Sequence, residues 1–224
     1  MNKLSVRLEA VANYVDDNSK VIDIGCDHGF LSIFLAKKYD NIKIIASDIN
    51  ENALNNAISN INKLNLQNKI ETRLGSGLDV VTADEIDTIV IAGMGANTIV
   101  GILKYSTSKL SNINDIIIQS NTDLYFLRKN ITSLGYYIED EILVEDKNII
   151  YTVIKFNKGK RRYNYKELYL GPVLTTKNDD LFKKKCNKEL TTLKLILKNI
   201  NSGHYLYRLK IKRNIKILED VLKH

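Results

Sequence analysis

The chain has 224 residues, 44% of them hydrophobic and 26% charged, enough apolar material for one substantial core plus an appendage, which excludes wholesale disorder. Its apolar runs, such as residues 89–94, fall far short of the roughly 18 residues that cross a bilayer, and Arg7 and Glu9 break up any leader-like stretch, so a cytoplasmic protein without a membrane segment is expected. The net charge of +7 is unevenly divided: residues 1–159 carry 16 Lys and Arg against 20 Asp and Glu, whereas residues 160–224 carry 17 against 6, the pattern of a basic arm that meets a polyanion.

Residues 4–15 place Leu4, Leu8, Val11, Ala12 and Val15 on one face of an opening helix. A buried strand at 21–24 enters the turn 25–29, and a helix follows over 31–38. Next come a strand at 43–47 ending at Asp48, a helix over 50–64, and a strand at 69–74 closed by Gly75-Ser76-Gly77. A strand at 87–92 leads through Gly93-Met94-Gly95 to a helix over 97–104, then a strand at 115–119 and a helix over 122–134. Residues 136–144 and 151–156 lie close enough to pair as a hairpin. Short apolar strands alternating with helices predict an α/β fold, its sheet mostly parallel, covered on both faces and closed by an antiparallel edge strand. Ligands of such sheets sit beyond the carboxyl ends of the strands, so the four strand-following turns should line one cleft.

After Phe156 the pattern changes. Residues 158–162 form a basic hinge, and Gly171-Pro172 carries the only proline. Phe182, Cys186, Leu190, Leu193 and Leu197 form one helical seam; Tyr207, Ile211, Ile215, Leu218 and Leu222 form another beyond a break at 199–203. Together they predict an antiparallel helical hairpin. Two cysteines 160 positions apart make no disulfide framework, and His28, His204 and His224 are too dispersed for a metal site, so no metal is expected.

The first strand and turn read Val21-Ile22-Asp23-Ile24-Gly25-Cys26-Asp27-His28-Gly29. Glycines four apart, with an acid two before the first, do not fit the G-x-G-x-x-G of a nicotinamide site. The stretch resembles motif I of class I S-adenosylmethionine methyltransferases, D/E-x-G-x-G-x-G, with Asp27 at the middle glycine. Asp48, 19 residues after Gly29, is an acceptor-only carboxylate at the second strand tip, suited to both hydroxyls of a ribose. It also stands where a helix N-cap would. The Asn/Asp-Pro-Pro-aromatic motif of exocyclic-amine methylation is absent after the fourth strand.

Leu4-Ser5-Val6-Arg7-Leu8, the Asp23–Gly29 stretch, Ile91-Ala92-Gly93-Met94-Gly95, Gln119-Ser120-Asn121, Leu127-Arg128 and Gly171-Pro172 together resemble the bacterial tRNA (adenine-22-N1)-methyltransferase family over nearly the whole chain. The departures are Ala96, Ser120 and Ser76, where that family tends to have glycine, proline and aspartate. The resemblance implies a Rossmann-like methyltransferase domain at 1–159 and a basic, coiled-coil α-helical hairpin at 160–224 that grips tRNA. The implied reaction moves a methyl group from S-adenosyl-L-methionine to N1 of an adenine. On this reading the cofactor is held by Asp23, Gly25, Cys26, Gly29, Asp48 and Ile49, by Ser76 and Gly77, and by Gly93, Met94 and Gly95. Cys26 is a small packing residue there rather than a nucleophile.

Asp27 is the candidate carboxylate for the ring as it becomes cationic, with His28 orienting it or touching the base, and Asn121 meeting the adenine edge. Each has a plainer alternative: a turn carboxylate, a turn histidine, and an N-cap. Candidate RNA contacts are Arg7, Arg161, Arg162, Lys183, Lys184, Lys185, Arg208, Lys212 and Arg213, interleaved with Tyr163, Tyr165, Tyr169, Tyr205 and Tyr207. For Arg7 a surface salt bridge is the plainer alternative, and for the clusters a solvated helix face. The rival functions are a small-molecule methyltransferase whose hairpin dimerises and a non-catalytic RNA-binding protein. A monomer or weak homodimer is expected.

Overall fold

The computed structural model describes residues 4–82, 84–201 and 203–223. The chain divides into two compact units, Met1–Tyr163 and Asn164–His224, against the expected division after residue 159. In the first unit the strands are β1 (Lys20–Ile24), β2 (Lys43–Asp48), β3 (Ile70–Leu74), β4 (Thr88–Met94), β5 (Asp115–Ser120), β6 (Tyr136–Asp146) and β7 (Ile149–Lys158). They form one sheet in the order β3-β2-β1-β4-β5-β7-β6, parallel from β3 through β5. The strand order reverses between β1 and β4, which opens a crevice at their carboxyl ends.

Side-chain alternation sends Val21, Ile44, Ile70, Val90 and Ile117 to one face of the sheet, where they share a core with helices α1 (Val6–Ala12), α2 (Phe30–Lys38) and α3 (Glu51–Lys63). Ile22, Ile45, Ile89, Ile91, Ile116 and Ile118 are buried on the other face. Helices α4 (Ala96–Tyr105) and α5 (Leu124–Ser133) contribute buried Ile99, Leu103, Leu127 and Ile131. Burial on both faces is why these strands read as unbroken apolar runs. Helix α1 is shorter than the expected 4–15: the Ser5 hydroxyl accepts from the Leu8 N–H at its start, and Asn13 caps its end.

The hairpin differs from the expectation. The antiparallel strand is β7, which lies between β5 and β6, and the edge strand is β6. Lys147 and Asn148 both have positive φ (50° and 65°), the backbone of a tight primed turn that folds β7 straight back. Val153, Ile154 and Phe156 then take the interior position, being the most apolar stretch of the pair.

The second unit contains α6 (Tyr165–Leu170), α7 (Pro172–Lys177), α8 (Asp180–Asn199) and α9 (Tyr205–Leu222). The hairpin is formed by α8 and α9; the first two helices were not anticipated. The signal for α6 was present in Asn164 and Glu167, which form a reciprocal capping box, and Pro172 starts α7 at the position proline favours. The seam on α9 also differs from the expected one. Ile211, Asn214, Leu218 and Val221 are buried, whereas Tyr207 is 48% exposed. Asn214 belongs inside because its Oδ1 accepts the Tyr165 hydroxyl at 2.8 Å. His224 lies outside the described residues, and among those residues no cluster of His, Cys, Asp or Glu could hold a metal ion.

Candidate active site

The turn after β1 is built by backbone conformations that ordinary residues resist. Gly25 has φ +77°, a left-handed conformation that favours glycine, and a Cβ there would also come within 2.3 Å of Met94 Cε, so that the Met94 side chain would have to shift. Asp27 takes the middle position of the turn with φ +49°, a left-handed conformation that Asp tolerates better than most residues. The N–H groups of Gly25 and Cys26 both donate to the Ser47 carbonyl, at 2.8 and 3.0 Å, which ties the turn to the end of β2.

Asp48 completes that tie. Its Oδ2 accepts the Asp27 N–H at 3.1 Å and its Oδ1 accepts the Asn50 N–H at 2.8 Å. The N-cap of α3 is Asn50, which accepts from Asn52 and Ala53, so Asp48 is not spent as a cap. A carboxylate oxygen has two lone pairs, and these contacts use one on each. Asp23, one turn deeper, is almost fully buried and accepts the Ser32 hydroxyl at 2.7 Å. Burial pushes its carboxyl up to about 6, with the Asp48 charge adding to the rise and the Ser32 hydrogen bond opposing it. Burial, reinforced by Asp23 and Asp48, also drives the Cys26 thiol far above its ordinary range, leaving it a packing residue without thiolate character.

These groups face a cavity of about 400 Å3. Asp23, Gly25, Cys26, Asp27, His28 and Asp48 line it from β1 and β2; Gly93 and Met94 line it from β4; Arg7 and Leu8 line it from α1. Phe30 also lines it, 48% exposed and stacked on His28 with ring centroids 5.4 Å apart. Sequence reasoning passed over this ring. His28 Nε2 lies 3.7 Å from Asp27 Oδ1, beyond a hydrogen bond, and the Asp27 side chain is 71% exposed.

Five predicted cofactor residues are outside the lining. Gly29, with φ +70°, starts α2 beside Ala57, and Gly95 starts α4. Ile49 is 76% exposed just past the β2 tip. Ser76 and Gly77 follow β3, and the neighbouring Gly75 N–H donates to the Asp48 carbonyl at 2.9 Å, which sets that turn beside the same tip. A larger cavity of about 510 Å3 lies at the opposite ends of β1 and β2, lined by Lys20, Lys43 and Ile86, and holds none of the predicted residues.

Arg7 and Gly93 of the lining are hydrogen-bonded to Gln119 and Asn121, two side chains that lie outside the lining itself. Gln119, fully buried at the end of β5, accepts Arg7 Nη1 at 2.5 Å and the Gly93 N–H at 3.0 Å on its Oε1. Its Nε2 donates to Asn121 Oδ1 at 3.0 Å, and Asn121 Nδ2 donates to the Gly93 carbonyl at 2.7 Å. The N-cap of α5 is Asp123, so Asn121 is free of the capping role. The Arg7 guanidinium also lies 5.6 Å from the Tyr151 ring centre. Arg7 is therefore part of the cavity wall rather than of a surface ion pair. Gln119 was missed, although a lone glutamine closing Ile116-Ile117-Ile118 is a visible departure from an apolar strand.

The predicted RNA contacts are in varied settings. Arg161 and Arg162 are exposed in the connection after β7, with Arg161 5.5 Å from the Tyr163 ring centre. Lys183, Lys184 and Lys185 occupy the first turns of α8, and Lys212 is exposed on α9. Two arginines are engaged inside the second unit. Arg208 Nη1 donates to the Leu197 and Ile200 carbonyls at 3.3 and 2.8 Å, closing the end of α8, and Arg213 lies 3.5 Å over the Tyr165 ring.

A sequence-family model described as tRNA (adenine(22)-N(1))-methyltransferase matches residues 21–221. The chain is 29% identical to the tRNA (adenine(22)-N(1))-methyltransferase of Bacillus subtilis, covering 99% of this chain and 98% of that protein. Among solved structures it is similar to Streptococcus pneumoniae Sp1610 in complex with S-adenosyl-L-methionine, with TM-score 0.90 and 28% identity over 98% of this chain and 100% of that one. It is also similar to M. capricolum TrmK in complex with S-adenosyl-homocysteine, with TM-score 0.85 and 30% identity over 99% of each chain.

Proposed function

We infer the activity of this chain from the family to which it belongs, the tRNA (adenine(22)-N(1))-methyltransferases. It is an S-adenosyl-L-methionine-dependent methyltransferase, and its reaction is methylation of N1 of adenine 22 in tRNA. The observation within the molecule that best supports this reading is Asp48, a strand-tip carboxylate with an unused lone pair on each oxygen, beside a glycine turn at the topological switch point.

The cavity fits the cofactor in size and in donor chemistry. About 400 Å3 lies within the usual range for small-molecule sites. Asp48 receives the ribose hydroxyls, and Ile49 and Ser76 flank the adenine ring with an apolar surface and a hydroxyl. Asp23, Asp27 and Asp48 give the cavity the negative character that suits a ligand with a sulfonium and an ammonium group. Gly25 and Gly93 let backbone approach it closely, with Cys26, Gly29, Gly77, Met94 and Gly95 shaping the surrounding turns. When bound, S-adenosyl-L-methionine supplies a methyl group on a cationic sulfur.

Adenine N1 carries its own lone pair, so no base has to remove a proton before attack, and positioning dominates. Asn121 meets the adenine edge and His28 with Phe30 provides ring surface at the mouth. Asp27 places a carboxylate where the methylated ring becomes cationic. Arg161, Arg162, Lys183, Lys184, Lys185 and Lys212 hold phosphates of the tRNA, in which the target base must be unstacked before its N1 can be reached. Arg208 and Arg213 serve this arm through its folding first. This assigns the chemistry to residues 1–159 and the grip on tRNA to residues 160–224, in a cytoplasmic protein acting as a monomer or weak homodimer. The test is methyl transfer from labelled S-adenosyl-L-methionine to unmodified tRNA, followed by nucleoside analysis. The reading requires 1-methyladenosine; cofactor binding without any labelled nucleoside refutes it.

A further inference from the structure

We propose that Gln119 is a positioning residue that fixes the Asn121 amide so that Asn121 reads the N6/N7 edge of the target adenine, leaving N1 open to attack. The proposal rests on the methyltransferase reading above and adds to it a specificity device hydrogen-bonded to Arg7 and Gly93 of the cavity lining.

The orientation of both amides follows from groups whose chemistry leaves no choice. A backbone N–H and a guanidinium can only donate, so the end of Gln119 that meets Gly93 N and Arg7 Nη1 is its oxygen. Its other end is then an NH2 group, which can only donate, so the Asn121 atom facing it at 3.0 Å is Oδ1. Asn121 Nδ2 is left to face the Gly93 carbonyl, an acceptor, at 2.7 Å. Every hydrogen bond in the chain agrees with its neighbours in direction. The chain is anchored at both ends on rigid backbone: Gln119 pairs with Ala92 of β4 and Val153 of β7, and the Asn121 N–H donates to the Met94 carbonyl at 2.9 Å.

An amide has two N–H donors and two lone pairs, and these hydrogen bonds occupy one of each on Asn121. What remains on this exposed side chain is one donor on Nδ2 and one acceptor lone pair on Oδ1. That pair is the complement of an adenine's N6 amino group and N7, the arrangement by which asparagine reads adenine elsewhere. Binding on that edge leaves N1 unencumbered, whereas a donor aimed at N1 itself would occupy the lone pair the reaction needs. If the amide were turned about, its donor would meet the N6 amino group and its acceptor would meet N7, and both hydrogen bonds would fail.

The test uses the full-length protein and a tRNA in which the target adenine alone is replaced by 7-deazaadenine, which keeps N1 and the amino group but has carbon at position 7. Wild-type protein should methylate the natural tRNA with a kcat/KM about tenfold above that for the substituted one, the worth of half of a bidentate pair. In Gln119→Glu the carboxylate still accepts from Arg7 and Gly93 but offers Asn121 no N–H. The ratio between the two tRNAs should then fall towards one, with S-adenosyl-L-methionine affinity within a fewfold of wild type. Asn121→Ala, a change at an exposed position, should give the same flat ratio. A purely structural role for Gln119 would lower both substrates equally and leave the ratio at its wild-type value, which would overturn the proposal, as would a wild-type protein that treats the two tRNAs alike. Wild-type protein that forms no 1-methyladenosine on natural tRNA would overturn the methyltransferase reading itself and the proposal with it, a failure visible in that control alone.

Discussion

Asp23 should trade stability for cofactor binding, and the size of the trade follows from its burial. Its carboxyl is held at about 6 in the folded protein against 3.8 in an unfolded chain, because burial penalises the charged form. A displacement of two pH units corresponds to about 3 kcal/mol between the protonation states. The folded chain holds the proton more tightly than the unfolded one, so stability is greatest below pH 4, is lost as pH rises through 6, and the full penalty stands at neutral pH. Asp23→Asn removes the charge while its side-chain oxygen still accepts the Ser32 hydroxyl. The variant should therefore be more stable than wild type by about 2–3 kcal/mol at pH 7.5, the advantage vanishing towards pH 4. The cofactor should respond in the opposite direction. Wild-type affinity for S-adenosyl-L-methionine should rise with pH through about 6 as Asp23 ionises, and the variant should bind more weakly with a flat profile. Denaturant titration and calorimetric binding at pH 4.5, 6 and 7.5 measure both. A stability difference that does not change with pH, or a variant that keeps the wild-type binding profile, would refute the reasoning.

The remaining expectations concern individual side chains. Asp48→Asn should weaken cofactor binding roughly 10- to 100-fold, the worth of one or two hydrogen bonds to a charged acceptor; unchanged calorimetric affinity would remove Asp48 from the ribose. Asp27→Ala should lower kcat about tenfold while leaving cofactor affinity nearly intact, because a carboxylate 71% exposed is screened and contributes on the order of 1 kcal/mol. Replacing Lys183, Lys184 and Lys185 by Gln should flatten the salt dependence of tRNA binding by roughly 0.7–0.9 log units for each phosphate no longer neutralised; an unchanged slope would mark the cluster as a solvated face. Arg208→Ala should destabilise the second unit by about 1–2 kcal/mol through the two carbonyls it leaves open at the end of α8, read by thermal melting of the full chain.

Most of the fold was legible because both faces of the sheet are covered. Strands such as Ile89-Val90-Ile91 and Ile116-Ile117-Ile118 cannot be mistaken for half-exposed ones, and a glycine or polar residue, Gly93 or Gln119, follows each within two positions. What escaped was set by partners distant in sequence. The hairpin's place in the sheet depends on β7 being more apolar than β6, a comparison that no local pattern makes. The buried position on α9 moved from Ile215 to Asn214 because Tyr165, 49 residues away, supplies a hydroxyl to it. In the candidate site, the glycine turn and the strand tip beside it were readable from Gly25, Gly29 and Asp48, whose spacing follows from geometry. Gln119 was not, because its hydrogen bonds to Arg7 and Gly93 join it to residues distant in sequence.

The three aspartates around the glycine turn show why spacing alone does not assign chemistry. Asp23 is buried and bound to Ser32, Asp48 ties two backbone N–H groups at a strand tip, and Asp27 is exposed with no side-chain hydrogen bond to His28. His28 Nε2 stands 3.7 Å from Asp27 Oδ1, against about 2.6–3.2 Å for a formed proton-transfer dyad. The reaction has no use for such a dyad, since adenine N1 already presents a lone pair and needs only to be held in line. The rigidity of the site lies instead in the chain from Arg7 through Gln119 to Asn121, where the donors and acceptors at each step fix the direction of every hydrogen bond. On the reading proposed above, a site organised in this way would select its base by geometry and leave the proton inventory of the base untouched.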